Sequence, residues 1–413
     1  MRMKFNKSRQ LLLVSAVSLL AAGLMTACGT ATTDYVFVAS AKAAGSNNYG
    51  EIDVFEINKV SGAMRQIPTS PFLSGGRNPV AEAVSSDNAN LYVVNQDDNT
   101  IVQFMIGSDG KLYPQYTVNT PGIDPLAVAV NGSNLFVVDT YQPLSTCSNV
   151  APCSGSVAVF PVEPASGTGS SEIASGRLGT AVTNTSNGAT YWPLNLPSSP
   201  TDVIVPTAVN VPSSGAYLYV TAYDTSVTPN KGYIFGFAVG SGGVLTPLAN
   251  SPFAITGGVH PSAIASDPSS SYVYVTDSQN GNVHAYAIAS DVLSELSGSP
   301  FKAGNQPSAI VADPKFPYLY VANATDGTVN AYSIGSTGAL ASIATYDAGI
   351  QPVAIGIDPS TSHFLLCANY LGSNVSDFEL NSGTGTLVNA QHSPYKSNAM
   401  PTAVAAIPHG GTK

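Results

Sequence analysis

Short apolar runs alternate along nearly the whole chain with clusters of Gly, Pro, Ser, Asn and Asp. Within the runs the period is two: YVYVTD from Tyr272, or VHAYAI from Val283, puts apolar and small or polar side chains on opposite faces. That pattern predicts short β-strands joined by tight turns. The line PSAIASDPSSSYVYVTDSQNGNVHAYAI, from Pro261, overlies PSAIVADPKFPYLYVANATDGTVNAYSI, from Pro307, without a gap, and Pro352 opens a third copy. Weaker copies open at Pro79, Pro125 and Pro206, and a final PTAVAAI begins at Pro401. The period is about 46 residues, with one long interval after Pro125.

Each unit reads as four strands: the PxAI run, the Y-x-Y-V run, the alternating VxAYxI run, and a weaker run after a Gly-containing turn. Four strands per repeat of this length mark a propeller blade, not a helical solenoid. SPF recurs after the fourth strand at residues 70–72, 251–253 and 299–301, with SPY at 393–395. Those prolines are expected where pairing ends and the chain returns to the hub. The first Y-x-F-V run, at Tyr35, has no PxAI strand before it, and the PxAI-like run at Pro401 has no partner after it. The fold expected is therefore all-β: a seven-bladed β-propeller of four-stranded antiparallel blades over residues 34–407, its first blade closed by the C-terminal strand, with 408–413 a tail. Closure removes the open sheet edges.

Residues 143–205 interrupt the repeat with a stretch rich in Ser, Thr, Gly and Pro that contains the lone tryptophan, Trp192. It reads either as a lid over one face or as a variable solvent loop. Cys147 and Cys153 close its CSNVAPC loop, which offers no other metal ligand, so a disulfide is expected; Cys367, in FLLCAN, reads as a buried thiol.

The N-terminus changes the picture of where the protein works. Arg2, Lys4, Lys7 and Arg9 precede the apolar run LLLVSAVSLLAAGLM, followed by Thr26, Ala27 and Cys28. Basic, then apolar, then small residues is the order of a secretory signal, and the apolar run is short for a spanning helix. MTAC resembles a bacterial lipobox. The expectation is a signal peptide over 1–27, lipidation at Cys28, a linker over 28–33, and an extracytoplasmic protein held to a bacterial membrane, periplasmic or outer, by its lipid alone. The net charge of −10, with the basic residues of the signal segment included, argues against nucleic-acid binding.

The Y-V-x-x-[ND] strands followed by G-x-V-x-[AV]-Y resemble YVTN repeats, and the order PxAI, DP, YVYVTD, GNVHAY is similar to the lactonase family that includes 6-phosphogluconolactonase-type enzymes. The resemblance spans about residues 34–407. It implies a seven-bladed ring and lactone hydrolysis. It also implies Arg or His after the hub proline, where this chain has Ser262 and Ser308.

Ligands usually enter a propeller at the face shared by the loops before each inner strand and those after each second strand. The first set includes Arg77, Asn78, Asp124, His260, Gln306 and Gln351; the second includes Asn95, Asp139, Asp277, Asn323 and Asn369. The Asn and Asp of the second set also read as turn caps. For catalysis the candidates are His260 as general base with Asp277 as its orienter, Arg77 to polarise a carboxylate or phosphate, and Glu82, which replaces the Ile or Val of every other copy. Asn78, Asn95, Asp124, Asp139, Gln306, Asn323, Gln351 and Asn369 are candidate ligand contacts. No metal site or cofactor is expected, although Asp139, Asp277 and Asn side chains are a donor set that suits one Ca2+ or Mg2+ in the hub. Two functions follow, either of them for a monomer: a lipid-anchored lactonase-like hydrolase of a sugar lactone or small ester, or a non-catalytic propeller that binds a glycan, peptide or envelope protein.

Overall fold

The computed structural model describes residues 32–41, 49–147, 152–166, 175–397 and 400–409. The signal segment, the lipobox and Cys28 lie outside the described residues. The strands form seven antiparallel sheets in a ring. Blade 1 comprises Met400–Pro408 innermost, then Thr32–Ala41, Tyr49–Asn58 and an outer strand in two pieces, Met64–Gln66 and Phe72–Arg77. Phe37 stands opposite Val54 on one side and Ala405 on the other, so the two ends of the chain share one sheet.

Blades 2 to 7 each begin at a hub proline. Their inner strands are Pro79–Val84, Ile123–Asn131, Ile204–Asn210, Pro261–Ser266, Pro307–Ala312 and Pro352–Ile357. Apolar side chains gather in seven clusters, and each cluster straddles two consecutive blades. Ile264 of blade 5 packs on Tyr219 and Ile234 of blade 4, and Ile310 of blade 6 packs among Tyr274 and Val283 of blade 5. The core is thus a ring of interfaces, and in every blade but the second an apolar residue stands at the middle of the inner strand. The second tyrosine of Y-x-Y-V locks the interface further. Tyr274 Oη donates to the Gly338 carbonyl at 2.9 Å and Tyr320 Oη to that of Gly385 at 3.1 Å, each in the next blade. Those glycines occupy positive φ, +81° and +70°, against the Tyr272 and Tyr318 rings, where a Cβ has no room.

The SPF segments correct one expectation. Pairing does not end there; it resumes on the same third strand, with Phe72 opposite Ile52, Phe253 opposite Ile234, Phe301 opposite Val283 and Tyr395 opposite Val375. Proline cannot donate, so the outer strand breaks, and the serine hydroxyl fills the gap. Ser70, Ser251, Ser299 and Ser393 accept the N–H of Val54, Gly236, Ala285 and Asp377 at 2.8 to 3.1 Å.

The same rule explains Trp192. In blade 3 it pairs opposite Val157, the place the SPF aromatic takes elsewhere, while Leu178 pairs opposite Val162. The indole is 4% exposed, and its N–H donates to the Leu245 carbonyl of blade 4 at 2.9 Å. The described part of the 143–205 excursion therefore builds the outer edge of blade 3 and the interface with blade 4. Cys147 and Cys153 are joined as a disulfide in the loop between the second and third strands of that blade.

Candidate functional site

The residue after each hub proline sits at a β-bulge, which leaves a second-strand carbonyl without its ladder partner. Where that residue bears a hydroxyl, it supplies the missing bond. Thr207, Ser262, Ser308 and Thr402 donate to the carbonyls of Thr221, Thr276, Ala322 and Ala39. Three of them lie nearer still to the hub-proline carbonyl of the next blade, so their single hydrogen is shared between the two carbonyls: Ser262 to Pro307 at 2.6 Å, Ser308 to Pro352 at 2.7 Å and Thr402 to Pro79 at 2.7 Å. The positions where the resemblance implies Arg or His thus carry hydroxyls engaged in joining blades.

The residues that leave the second strands are buried ties. Asn95, Asp139, Asn323 and Asn369 are 0% exposed and Asp277 is 1% exposed. Each reaches the loop that precedes the inner strand of its own blade. Asn323 Oδ1 accepts the Gly304 N–H, Asn369 Nδ2 donates to the Ala348 carbonyl, Asp139 Oδ2 accepts the Gly122 N–H, and Asn95 Nδ2 donates to the Ser74 carbonyl. Burial pushes the Asp139 carboxyl up to about 8, against the pull of Thr120 and Gly122. Among the described residues no group of three or more His, Cys, Asp and Glu side chains is arranged to hold a metal ion.

The residues just before the hub prolines are shaped by backbone. Asn78, Asp124, Gln306 and Gln351 all take positive φ, between +52° and +56°. Asn and Asp tolerate that region better than most residues. His260 does not adopt it.

The four catalytic candidates fall at two places. Arg77 ends the outer strand of blade 1 and reaches the rim of blade 2, where its Nε donates to Asp98 Oδ1 at 2.7 Å and its Nη2 to the Asp97 carbonyl at 3.0 Å. Burial works to raise the Asp98 carboxyl, but Arg77 holds it below the usual range. Asn78 caps the same loop through Gln96 and Asp97. Glu82 lies deeper, in the inner strand of blade 2, with its carboxyl oxygens out of solvent near the backbone of Ala405 and Ala39 in blade 1. No N–H meets them at hydrogen-bonding geometry, and burial pushes the group up to about 8. Arg77 is therefore paired with Asp98, not with Glu82.

His260 and Asp277 share blade 5, but the carboxylate does not meet the ring. Asp277 accepts the backbone N–H groups of Val259, His260, Gln279 and Asn280 and the Asn280 side-chain amide. The imidazole instead lies over Tyr223 of blade 4, with ring centroids 4.1 Å apart, and its Nδ1 is 3.0 Å from Ser278 Oγ. The same hydroxyl is 3.1 Å from the His260 carbonyl, which can only accept. With the hydroxyl proton on that carbonyl, Nδ1 carries the ring hydrogen and Nε2 keeps its lone pair. The imidazole borders a cleft of about 540 Å³ between blades 5 and 6, lined also by Ser278, Gln279, Asn280, Gly281, Asn305, Gln306 and Thr325. Of the residues singled out from sequence, His260 and Gln306 line it. Ser278, Asn280, Asn305 and Thr325 were missed: their only sequence signal is a place in the turns after Asp277 and Asn323 and before Pro307.

Ring, hub and mouth define a seven-bladed β-propeller with a polar cleft between blades 5 and 6. Residues 290–405 match the family model described as lactonase, 7-bladed beta-propeller, so the last third of the ring carries that family's pattern. Among solved structures, the periplasmic gluconolactonase PpgL of Pseudomonas aeruginosa is similar at 18% identity and a TM-score of 0.67, covering 91% of this chain and 99% of its own. A candidate 6-phosphogluconolactonase of Bacteroides uniformis gives 18% identity and a TM-score of 0.68, with the same coverage. A candidate 6-phosphogluconolactonase of Bacteroides fragilis gives 19% and 0.65 over 92% and 99%. At such identities the likeness concerns the fold. No curated protein matches the sequence.

Proposed function

We propose that the protein is an extracytoplasmic, lipid-anchored hydrolase of a sugar lactone or related small ester, working in the cleft between blades 5 and 6. The observation that carries this reading is the imidazole of His260 at the edge of that cleft, with Nδ1 3.0 Å from Ser278 Oγ; in the tautomer with its hydrogen on Nδ1, Nε2 is the base. In the reaction, Nε2 takes a proton from water as the water oxygen bonds to the lactone carbonyl carbon. The ring C–O bond then breaks, and the proton passes to the departing ring oxygen, giving a hydroxy acid. Ser278 is a positioning residue, since it acts through the imidazole. The order of basic, apolar and small residues before Cys28 supports the address.

The test is pH-stat hydrolysis of a panel of aldonolactones and homoserine lactones by the protein and by His260→Ala. Turnover that falls about 100-fold or more in the variant is expected, the range for losing a general base. Turnover unchanged in His260→Ala removes the base from the mechanism, and no turnover across the panel removes hydrolysis. A second reading, a non-catalytic scaffold for a glycan, peptide or envelope protein, is favoured by one observation: the hub hydroxyls and Asp277 are already engaged within the ring.

A further inference from the structure

The walls of the cleft sort their hydrogen-bonding groups in a way that bears on what enters. Asn280 Nδ2 donates to the Gly257 carbonyl at 3.0 Å and to Asp277 Oδ2 at 2.9 Å. Both amide hydrogens are thereby engaged, and its carbonyl oxygen is what it offers the cleft. Asn305 Nδ2 donates to Asp326 Oδ1 at 2.8 Å, which leaves its amide oxygen and one hydrogen. Thr325 Oγ1 donates to Gln306 Oε1 at 2.7 Å, so the threonine is left with acceptor lone pairs and Gln306 with its amide donors. Asn280, Asn305, Gln306 and Thr325 are all exposed. The carboxylate behind them, Asp326, also accepts the Asn305 N–H, and those bonds hold it below the usual carboxylate range. No Lys or Arg is among the lining residues. The cation whose charge reaches this wall, Lys302, acts on Asp326.

A phosphate or carboxylate brings only acceptors at neutral pH and needs cationic or clustered N–H donors. A sugar hydroxyl brings a donor and acceptors together. A wall that offers amide and threonine oxygens beside the neutral amide donors of Asn305 and Gln306, with no Lys or Arg in its lining, suits the hydroxyl better than the anion.

From this we infer that the cleft selects uncharged, polyhydroxylated ligands against their phosphorylated counterparts, with Asn280, Asn305 and Thr325 as the specificity-determining acceptors. The inference deepens the proposed function and rests on this cleft being the ligand site. It is also open to test by binding alone.

The experiment compares kcat/KM for glucono-1,5-lactone and its 6-phosphate, and the binding of glucose and glucose 6-phosphate by ligand-observed NMR, in the protein, in Asn305→Lys and in Thr325→Lys. Both substitutions are on exposed turn residues, and two variants guard against one failing to fold. The expected result is at least a tenfold preference for the neutral member of each pair, narrowed tenfold or reversed by either lysine. Absent turnover with the NMR preference intact, and reversed by lysine, upholds the selectivity and removes the hydrolase. Equal or better use of the phosphorylated member overturns the selectivity while hydrolysis stands. Neither sugar binding nor lactone turnover overturns both.

Discussion

Blades 2 and 5 are built on one frame and use their polar residues in opposite ways. In blade 5 the carboxylate after the second strand, Asp277, is consumed by backbone N–H groups, the inner strand carries Ile264 against blade 4, and the imidazole of His260 is left at the mouth. In blade 2 the mouth carboxylate Asp98 is neutralised by Arg77, which reaches over from the outer strand of blade 1, while a carboxyl sits at the position of Ile264, pressed against the blade that closes the ring. One blade keeps its interior apolar and its rim open. Its counterpart keeps its rim closed and its interior polar. The lesson is that an unusual residue in a repeat marks a departure from the frame, while its role depends on whether neighbours have already satisfied it.

The hardest way to break the comparison is to remove the strand that Glu82 faces. Deleting residues 400–413 strips blade 1 of the strand that pairs with Thr32–Ala41 from Asp34 to Ala41, and exposes apolar surface of blades 1, 2 and 7. The expected outcome is loss of the cooperative thermal transition, with dye binding of a loosened core. A deletion that melts like the intact protein would mean the ring does not depend on this closure.

A smaller change sharpens the contrast at Glu82 itself. Its folded value, about 8, lies above the ordinary 4.5, so the folded state holds the proton more tightly than the unfolded chain. The stabilisation from that proton is complete below about pH 4.5 and is lost as pH rises through about 8. Integrated over that window the loss is on the order of 3 to 5 kcal/mol, an upper figure for a group this deep. Asp34 and Asp139, raised to about 7 and about 8, titrate in the same window, so the informative curve is the difference between variant and parent. Glu82→Gln keeps the shape and removes the charge. Its urea-unfolding free energy should gain on the parent steadily from pH 5 to 8 and level off above. A flat difference curve would place a compensating cation or a hydrogen-bonded partner beside the carboxylate.

Much of this was readable in the residues, and the failures have a common cause. Seven blades, their strand order and the C-terminal closure follow from PxAI, Y-x-Y-V and VxAYxI because each motif encodes a period-two strand with a buried face. Glu82 stood out because the copies around it hold Ile or Val. The site was less legible. His260 and Asp277 lie 17 residues apart at one end of the same blade, yet which atom of each faces the other is set by the bulge and the turn, where Asp277 meets amides before it can meet a ring. Ser278, Asn280 and Asn305 carry no signal in a single sequence, since Ser and Asn are common in every turn of this chain. Trp192 looked like part of an insertion because the strand that holds it is two residues long and is separated along the chain from the other outer piece, Arg177–Leu178.

The mildest substitution decides whether the rim that Arg77 of blade 1 forms with Asp98 of blade 2 has any part in the mouth chemistry. Arg77 is exposed, and its guanidinium is held by Asp98 and the Asp97 carbonyl. An ion pair of this kind contributes little to stability in water, because solvent and salt screen it. Arg77→Ala should therefore leave the melting temperature nearly unchanged, and lactone kcat/KM within about twofold of the parent, beside the roughly 100-fold loss expected of His260→Ala. Lower salt should enlarge the stability effect slightly without touching turnover. If Arg77→Ala instead raises KM tenfold with kcat unchanged, the guanidinium leaves Asp98 when substrate arrives. The two blades would then contribute to one site across the ring, and the contrast between them would describe the empty protein alone.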